Sequence, residues 1–583
     1  MMRRPYAIPR RRINVLFAAF LIFSLAISYR VVSFQVVRSH ELAAEAHAIR
    51  YREEDVPAQR GDIRDARGRP LATNMPVDRV VAIVDKIEDP RLTAELLAPL
   101  IGRSVDYIYE RLTDPNLEWV WLQRQLSPEV SAKIRELKLP GIVLDPEPRR
   151  VYPMGDFASH VLGFVNYDYV GSYGVEGAYN DIVGGEPGKL IGERDAAGNV
   201  IALSRSTLDP PIDGANLTLT IDSAVQRVAE QALDEAIAQQ RASGGTVIVQ
   251  NPKTGEILAM ASRPSFDPNQ FEQVTDPALF NNPAISSTYE PGSTLKVLVM
   301  ALGLETGVVS PTTTWEGAQS RVIPGGARIT NALEQDFGPE TMTEVLQHSS
   351  NLGIMWVADL VNQDRFYRGL VSFGIGEQTG VDLAAESDGL LPLPGGPNWT
   401  PASFYTHSFG QGLAVTPLQL VNAISALANG GNLMKPYVVK EIERADGTEV
   451  NQPEVVRRVV SEETSRQITE MLTTVMETTY ERFKVPGYDI AAKTGTAQIP
   501  SPNGGYEEDA TIASMVGYGP SQDPQFTVLV KIDRPQESPW GETAAGPAFQ
   551  KIFQELFLLY GIPPSDPDAA SGSPVTPSTS STP

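Results

Sequence analysis

A serine and a lysine three residues apart, Ser293 and Lys296, are followed along the chain by Ser349-Ser350-Asn351 and then by Lys493-Thr494-Gly495-Thr496. These residue types supply the parts of an acyl transfer: an attacking hydroxyl on Ser293, an amine on Lys296 to take its proton, a second hydroxyl and an amide on Ser349 and Asn351, and a cation on Lys493. Each string alone has a plainer explanation. Ser-x-x-Lys is also a helix with a surface serine and a snorkelling lysine, Ser-Ser-Asn a helix cap, and Lys-Thr-Gly-Thr an edge strand ending in a turn. Their ordered occurrence on one chain is what points to chemistry. An ammonium cannot accept a proton, so a lysine base must be made neutral by burial or by a neighbouring cation, and Lys493 is the candidate cation.

The elements that would position these residues are legible around them. Pro291-Gly292 precedes Ser293, and Leu295, Val297, Leu298, Met300 and Ala301 suit a buried helix, so Ser293 opens a helix whose dipole favours a developing oxyanion. Helical segments Thr341 to Gln347 and Leu352 to Val361 put Ser349 and Asn351 at a helix junction. Ile490 to Ala492 lead a strand into Lys493; alternation sends Lys493 and Gly495 to one face and Thr494 and Thr496 to the other, unless a twist at the strand end reorients them, and Gly495 leaves room for a close ligand.

The same region holds a helix capped by Asp222 with Val225, Val228, Ala229, Ala232, Leu233, Ala236 and Ile237 on one face, ended by Gly244-Gly245. A hairpin over Thr246 to Ala261, strands at Thr511 to Tyr518 and Phe526 to Ile532, and a closing helix begun by Pro547 complete it. Strands from both ends around a helical middle imply one large domain over 217–562.

At the N-terminus Arg3, Arg4, Arg10, Arg11 and Arg12 precede an apolar run from Ile13 to Val37 broken by Arg30. It reads as a transmembrane anchor over 13–37 after a cytoplasmic tail 1–12, the arginines placing the chain beyond the anchor outside. Ser24-Leu25-Ala26 keeps open a cleaved signal peptide. Glu41 to Arg52 has a helical pattern, 58–72 reads as two short strands joined by a turn, and Pro128 to Leu137 as a short helix. Arg60-Gly61-Asp62 spells an adhesion tripeptide, a match that arises by accident. Residues 38–216 form an elongated α+β module, and the Pro-, Ser- and Thr-rich tail 563–583 is expected to be disordered.

Composition bounds the rest. With 583 residues and 42% hydrophobic content the chain can bury large cores. A net charge of −23 argues against nucleic-acid binding. The absence of cysteine excludes disulfides, thiolate catalysis and Cys-ligated metals, and the five histidines show no helical metal spacing. No phosphate-binding Gly-x-x-x-x-Gly-Lys loop occurs.

The three strings resemble the Ser-x-x-Lys, Ser-x-Asn and Lys-Thr-Gly motifs of serine penicillin-binding proteins and β-lactamases. The chain is most similar to class B penicillin-binding proteins, the monofunctional peptidoglycan D,D-transpeptidases, through Arg60-Gly61-Asp62-Ile63-Arg64-Asp65, Arg150-Val151-Tyr152-Pro153, Gly174-Val175-Glu176-Gly177, Phe409-Gly410-Gln411-Gly412 and Val415-Thr416-Pro417. The last two resemble division-type more than elongation-type members.

The resemblance implies an α+β multidomain fold: an anchor, an elongated pedestal or dimerisation domain over 38–216, and a transpeptidase domain over 217–562 with a central antiparallel sheet flanked by helices. It implies cross-linking of peptidoglycan stem peptides during wall synthesis, through an acyl-enzyme on Ser293 formed with release of terminal D-Ala, and covalent inhibition by β-lactams. Lys296 would be the base, Ser349 and Lys493 a proton relay, Asn351, Thr494, Gly495 and Thr496 the substrate-binding set, and the Ser293 and Thr496 N–H groups the oxyanion hole. No metal or cofactor is implied. A polytopic membrane glycosyltransferase and divisome proteins would be partners, and the catalytic domain would be extracytoplasmic. Three alternatives share the motifs: a D,D-carboxypeptidase, a β-lactamase, whose class A Glu-x-x-x-Asn spacing occurs only at Glu176 to Asn180, well before Ser293, and a slow-acylating β-lactam sensor or scaffold.

Overall fold

A computed structural model describes residues 10–42, 51–193, 207–501 and 503–566. The chain divides into two units, Met1–Gln59 with Gly185–Gly214, and Arg60–Gly184 with Ala215–Pro583. In the first, the helix Arg10–Val32 continues through a π-helical turn, Ser33–Val37, and this stretch is long and apolar enough to cross a membrane. Phe17, Phe20 and Leu21 stand exposed on it, the surface a lipid solvent would cover. Arg10–Arg12, placed in the tail by the expected 13–37 anchor, are already helical. Of the helical pattern expected over Glu41 to Arg52, Glu41 and Leu42 are helical, residues 43–50 lie outside the described residues, and Tyr51–Val56 is a strand paired with Gly188–Glu193, which pairs in turn with Thr207–Asp209. A partner supplied from far along the chain overrides the local pattern.

In the second unit five antiparallel strands lie in the order Ile257–Arg263, Gly244–Gln250, Phe526–Asp533, Tyr506–Gly519, Ala491–Pro500. Every residue of Gly244–Gln250 is buried, so both faces of this sheet are covered. Helices Ser223–Gln240 and Gly541–Leu559 pack on each other and on the sheet, and Pro417–Ala428 lies on its central strands. The α+β architecture and the contribution of both ends of 217–562 to one sheet are as expected.

Asp222 caps its helix through the Ala224 N–H (2.9 Å). That helix ends at Gln240 with Arg241 left-handed, and Gly244-Gly245 open the next strand instead of closing the helix. The closing helix begins at Gly541, not at Pro547, which sits inside it. Its start is set from outside: the Gly541 N–H donates to Thr496 Oγ1 (3.0 Å).

A second sheet runs Gly447–Val450, Val439–Arg444, Asn216–Leu219, Ile63–Arg64, Pro70–Ile83, Trp119–Leu126, with Ile142–Val151 also on Pro70–Ile83. Asn216–Leu219 spans the junction expected at 216/217 and pairs with strands from both sides of it. The two strands expected within 58–72 are present, and Asp65 pins their turn by accepting from the Arg67 and Arg69 N–H groups (2.9 and 2.8 Å). Arg60 is 2% exposed and donates through Nε to Glu176 (2.7 Å), so the adhesion-like tripeptide is not displayed. The other Glu176 oxygen accepts from Arg150 Nε (2.7 Å), and Asn180 accepts from Arg60 Nη1 (3.0 Å). The Glu176 to Asn180 spacing therefore belongs to a buried ion cluster and offers no free carboxylate for deacylation.

Candidate active site

Ser293 stands half-buried in a 3-10 turn, Gly292–Leu295, that runs directly into the helix Lys296–Glu305. The turn is stiffened by Thr294 Oγ1, which donates to the Pro291 carbonyl (2.7 Å). Lys296 through Leu304 are all buried, because this helix is apolar around its whole circumference and is inserted in the core. One residue past the end of the turn, Lys296 is carried into the core with it.

The Lys296 ammonium position is filled with partners from the second motif. Nζ lies 2.5 Å from the Ser349 carbonyl oxygen, 2.7 Å from Asn351 Oδ1 and 3.3 Å from Ser349 Oγ. Burial, helped by the charge of Lys493 and opposed by Glu340, drives the amine well below the ordinary lysine pKa. A neutral amine has two N–H groups and one lone pair. The two carbonyl oxygens can only accept and so take the N–H groups, which leaves the lone pair for a hydroxyl. None of the three bonds runs to Ser293, so the structure joins Lys296 to Ser349 and Asn351 and leaves the Ser293 hydroxyl unbound to the amine; such bonds tighten when a substrate is present.

Ser349 sits between the helices Met342–Gln347 and Asn351–Val361 at φ +53°, a left-handed conformation rare for serine and concentrated at functional sites. The helix cap is Ser350, whose Oγ accepts from the Gly353 N–H (3.1 Å), which frees Ser349 from that task. Asn351 Nδ2 donates to the Thr330 carbonyl (3.0 Å), and this turns its amide oxygen toward Lys296.

Lys493 is 1% exposed on the strand Ala491–Pro500, with Gly495 also buried and Thr494 and Thr496 half-buried, the alternation expected. Lys493 Nζ bonds the Thr494 carbonyl (3.1 Å) and the Tyr480 hydroxyl (3.3 Å), and the same hydroxyl lies 2.7 Å from Thr494 Oγ1. One phenol thus ties together two side chains that alternation sends apart. A Cβ on Gly495 would come within 2.9 Å of the Pro291 carbonyl oxygen, so this strand meets the Ser293 turn at a separation only glycine allows.

Two residues join the site that no motif announced. Asn331 is buried, and its Oδ1 accepts from the Asn351 and Leu352 N–H groups (2.9 and 3.2 Å), holding the start of the Asn351 helix. Tyr480 organises the Lys493 strand. Neither stands at a spacing that marks it, since each acts through contacts made only after folding.

Residues 245–554 match the model of the penicillin binding protein transpeptidase domain, and residues 55–219 that of the penicillin-binding protein dimerisation domain. The chain is 35% identical to stage V sporulation protein D of Bacillus subtilis, over 95% of this chain and 86% of that protein. It is 32% identical to the peptidoglycan D,D-transpeptidase FtsI of Escherichia coli, over 92% of this chain and 89% of that one. Among solved structures, penicillin binding protein 3 of Mycobacterium tuberculosis complexed with aztreonam aligns at 26% identity with a TM-score of 0.69, over 88% of this chain and 99% of that one.

Proposed function

The chain belongs to the penicillin-binding protein family as a class B, division-type peptidoglycan D,D-transpeptidase, and from that premise we propose that Ser293 is its nucleophile and Lys296 the base that activates it. The observation that supports the assignment is the wholly buried Lys296 amine, joined to Ser349 and Asn351 and shifted by burial and the charge of Lys493 toward its neutral form.

Ser293 Oγ attacks the carbonyl carbon of the penultimate D-Ala of a stem peptide while its proton passes to Lys296. The bond to the terminal D-Ala nitrogen then breaks, and that nitrogen takes a proton through Ser349 and Lys493, leaving a Ser293 ester and free D-Ala. An amine of a neighbouring stem attacks the ester, the new amide cross-link forms, and Ser293 recovers its proton. Asn351 binds a substrate amide, Thr494 and Thr496 the terminal carboxylate beside Lys493, and the backbone N–H groups of Ser293 and Thr496 receive the oxyanion. A β-lactam enters the same path, its ring amide taking the place of the D-Ala bond.

The apolar N-terminal helix fits a single-pass membrane anchor. Its flanking arginines support a cytoplasmic N-terminus with the catalytic domain outside. Residues 38–216 are the pedestal and 217–562 the transpeptidase domain of this reading, with a polytopic glycosyltransferase and division proteins as partners of the pedestal.

The test is intact-mass analysis of the full chain in detergent with a labelled penicillin. A single adduct that persists for many minutes on the parent and is absent from Ser293→Ala is expected. An adduct on Ser293→Ala overturns the nucleophile, and rapid turnover of the penicillin overturns the slow-deacylating transpeptidase.

A further inference from the structure

The loop Gly410-Gln411-Gly412 lies on the residue before the nucleophile. The Gly292 N–H donates to the Gly410 carbonyl (3.1 Å). Gly410, at φ +82°, faces Gly292 so closely that a Cβ would stand 2.1 Å from the Gly292 carbonyl oxygen. Both backbone groups of Gly412 are held by side chains. Its N–H donates to Glu290 (2.9 Å), three residues before Ser293, and its carbonyl oxygen meets His407 Nε2 (2.9 Å). The other ring nitrogen of His407, a wholly buried residue, meets the Tyr367 hydroxyl (3.0 Å), and that hydroxyl accepts from Trp399 Nε1 (2.9 Å).

The two ends of this chain set the direction of every bond in it. An indole N–H only donates and a carbonyl oxygen only accepts. The Tyr367 oxygen therefore accepts from Trp399 and gives its single proton to His407 Nδ1, while Nε2 carries the proton given to Gly412. One tautomer of a neutral ring satisfies all three bonds. Burial keeps the ring neutral by pushing its pKa down to about 4.

We propose that Trp399, Tyr367 and His407 form a positioning relay for acylation, holding the Gly292 amide and the Ser293 turn in place through the 410–412 loop. The proposal rests on Ser293 as the nucleophile. None of the three touches a reacting atom, so they are positioning residues. Displacing a nucleophile by about 1 Å costs on the order of a hundredfold in rate, so the relay acts on the bond-forming step more than on ligand binding.

The experiment separates the acylation rate constant k2 from the non-covalent dissociation constant Ks, using the full chain in detergent, a labelled penicillin and stopped-flow detection, with the adduct located by peptide mass. His407→Phe fills the space without a donor for Gly412, His407→Gln keeps a donor near the Nε2 position, and Tyr367→Phe removes the proton given to Nδ1 together with the acceptor of the Trp399 N–H. His407→Phe is expected to lower k2 by about tenfold or more with Ks within about twofold, His407→Gln to recover most of that loss, and Tyr367→Phe to fall between them. An unchanged k2 in folded His407→Phe, no recovery by His407→Gln, or an effect confined to Ks overturns the relay. Should His407→Phe not fold, Tyr367→Phe decides alone, and a k2 within about twofold of the parent overturns the proposal. An adduct on a residue other than Ser293 in the parent overturns the nucleophile assignment itself, an outcome distinct from slow labelling at Ser293.

Discussion

Lys296 Nζ lies 2.7 Å from Asn351 Oδ1, which joins the helix after the Ser293 turn to the helix after Ser349. The contact makes one unit of two motifs that are far apart in sequence. The amine's pKa is lowered there by burial first and by the charge of Lys493, and its three bonded partners, two carbonyl-type oxygens and the Ser349 hydroxyl, include no carboxylate.

The protonation state of Lys296 should follow the two charges that act on it. Lys493→Met removes a repulsion that favours the neutral amine, so the Lys296 pKa rises and the acid limb of the acylation profile moves to higher pH. Glu340→Gln removes an attraction that favours the ammonium, so the limb moves to lower pH. Acylation rates measured from acid to alkaline pH check both; limbs moving in the same direction would refute this account. Lys296→Met itself should lose about a thousandfold in k2.

Tyr480→Phe should weaken ligand binding more than chemistry. The phenol oxygen holds Lys493 Nζ and Thr494 Oγ1 together, and both belong to the proposed carboxylate site. Losing it should raise Ks by about tenfold, the equivalent of one hydrogen bond to a charged group. Stopped-flow acylation at graded penicillin concentrations reads this, and a fall in k2 with Ks unchanged would contradict it.

Asn331→Ala leaves the buried N–H of Leu352, and that of its neighbour Asn351, without their acceptor. The expected cost is about 1–3 kcal/mol of unfolding free energy, together with slower acylation as the Asn351 helix loosens at its start. Asn331→Asp keeps an acceptor and should restore most of the stability. Urea unfolding of both variants tests the pair.

Acid should destabilise the protein before its carboxylates titrate fully. His160 and His407 are buried, and burial lowers both from an ordinary 6.5 to about 4. Between those values the unfolded chain binds more protons than the folded one, so stability is fully present above about pH 6.5 and falls as pH drops toward 4. At about 1.4 kcal/mol per pKa unit each ring contributes about 3 kcal/mol in total across that window. Urea midpoints at pH 7.5 and 4.5 should differ accordingly, and His407→Gln should flatten the dependence; an unchanged slope in that variant would rule out His407 as a source.

The chain by itself marked the candidate chemistry and most of the elements. Ser293, Lys296, Ser349, Asn351 and Lys493 stand in ordered motifs, and the apolar periods mark the buried helix, the sheet strands and the N-terminal span, because local spacing and burial pattern are written residue by residue. Element starts that depend on distant partners were not legible. Gly541 opens the closing helix because Thr496 receives its N–H, and Tyr51 joins a strand because Glu193 lies opposite. Tertiary structure also chose Asn331 and Tyr480, whose single polar groups gain their partners only when separate segments meet. The lowered pKa of Lys296 was decided the same way: desolvation and the field of Lys493 exist only in the folded core, so the sequence could propose a base while only the fold could shift its titration.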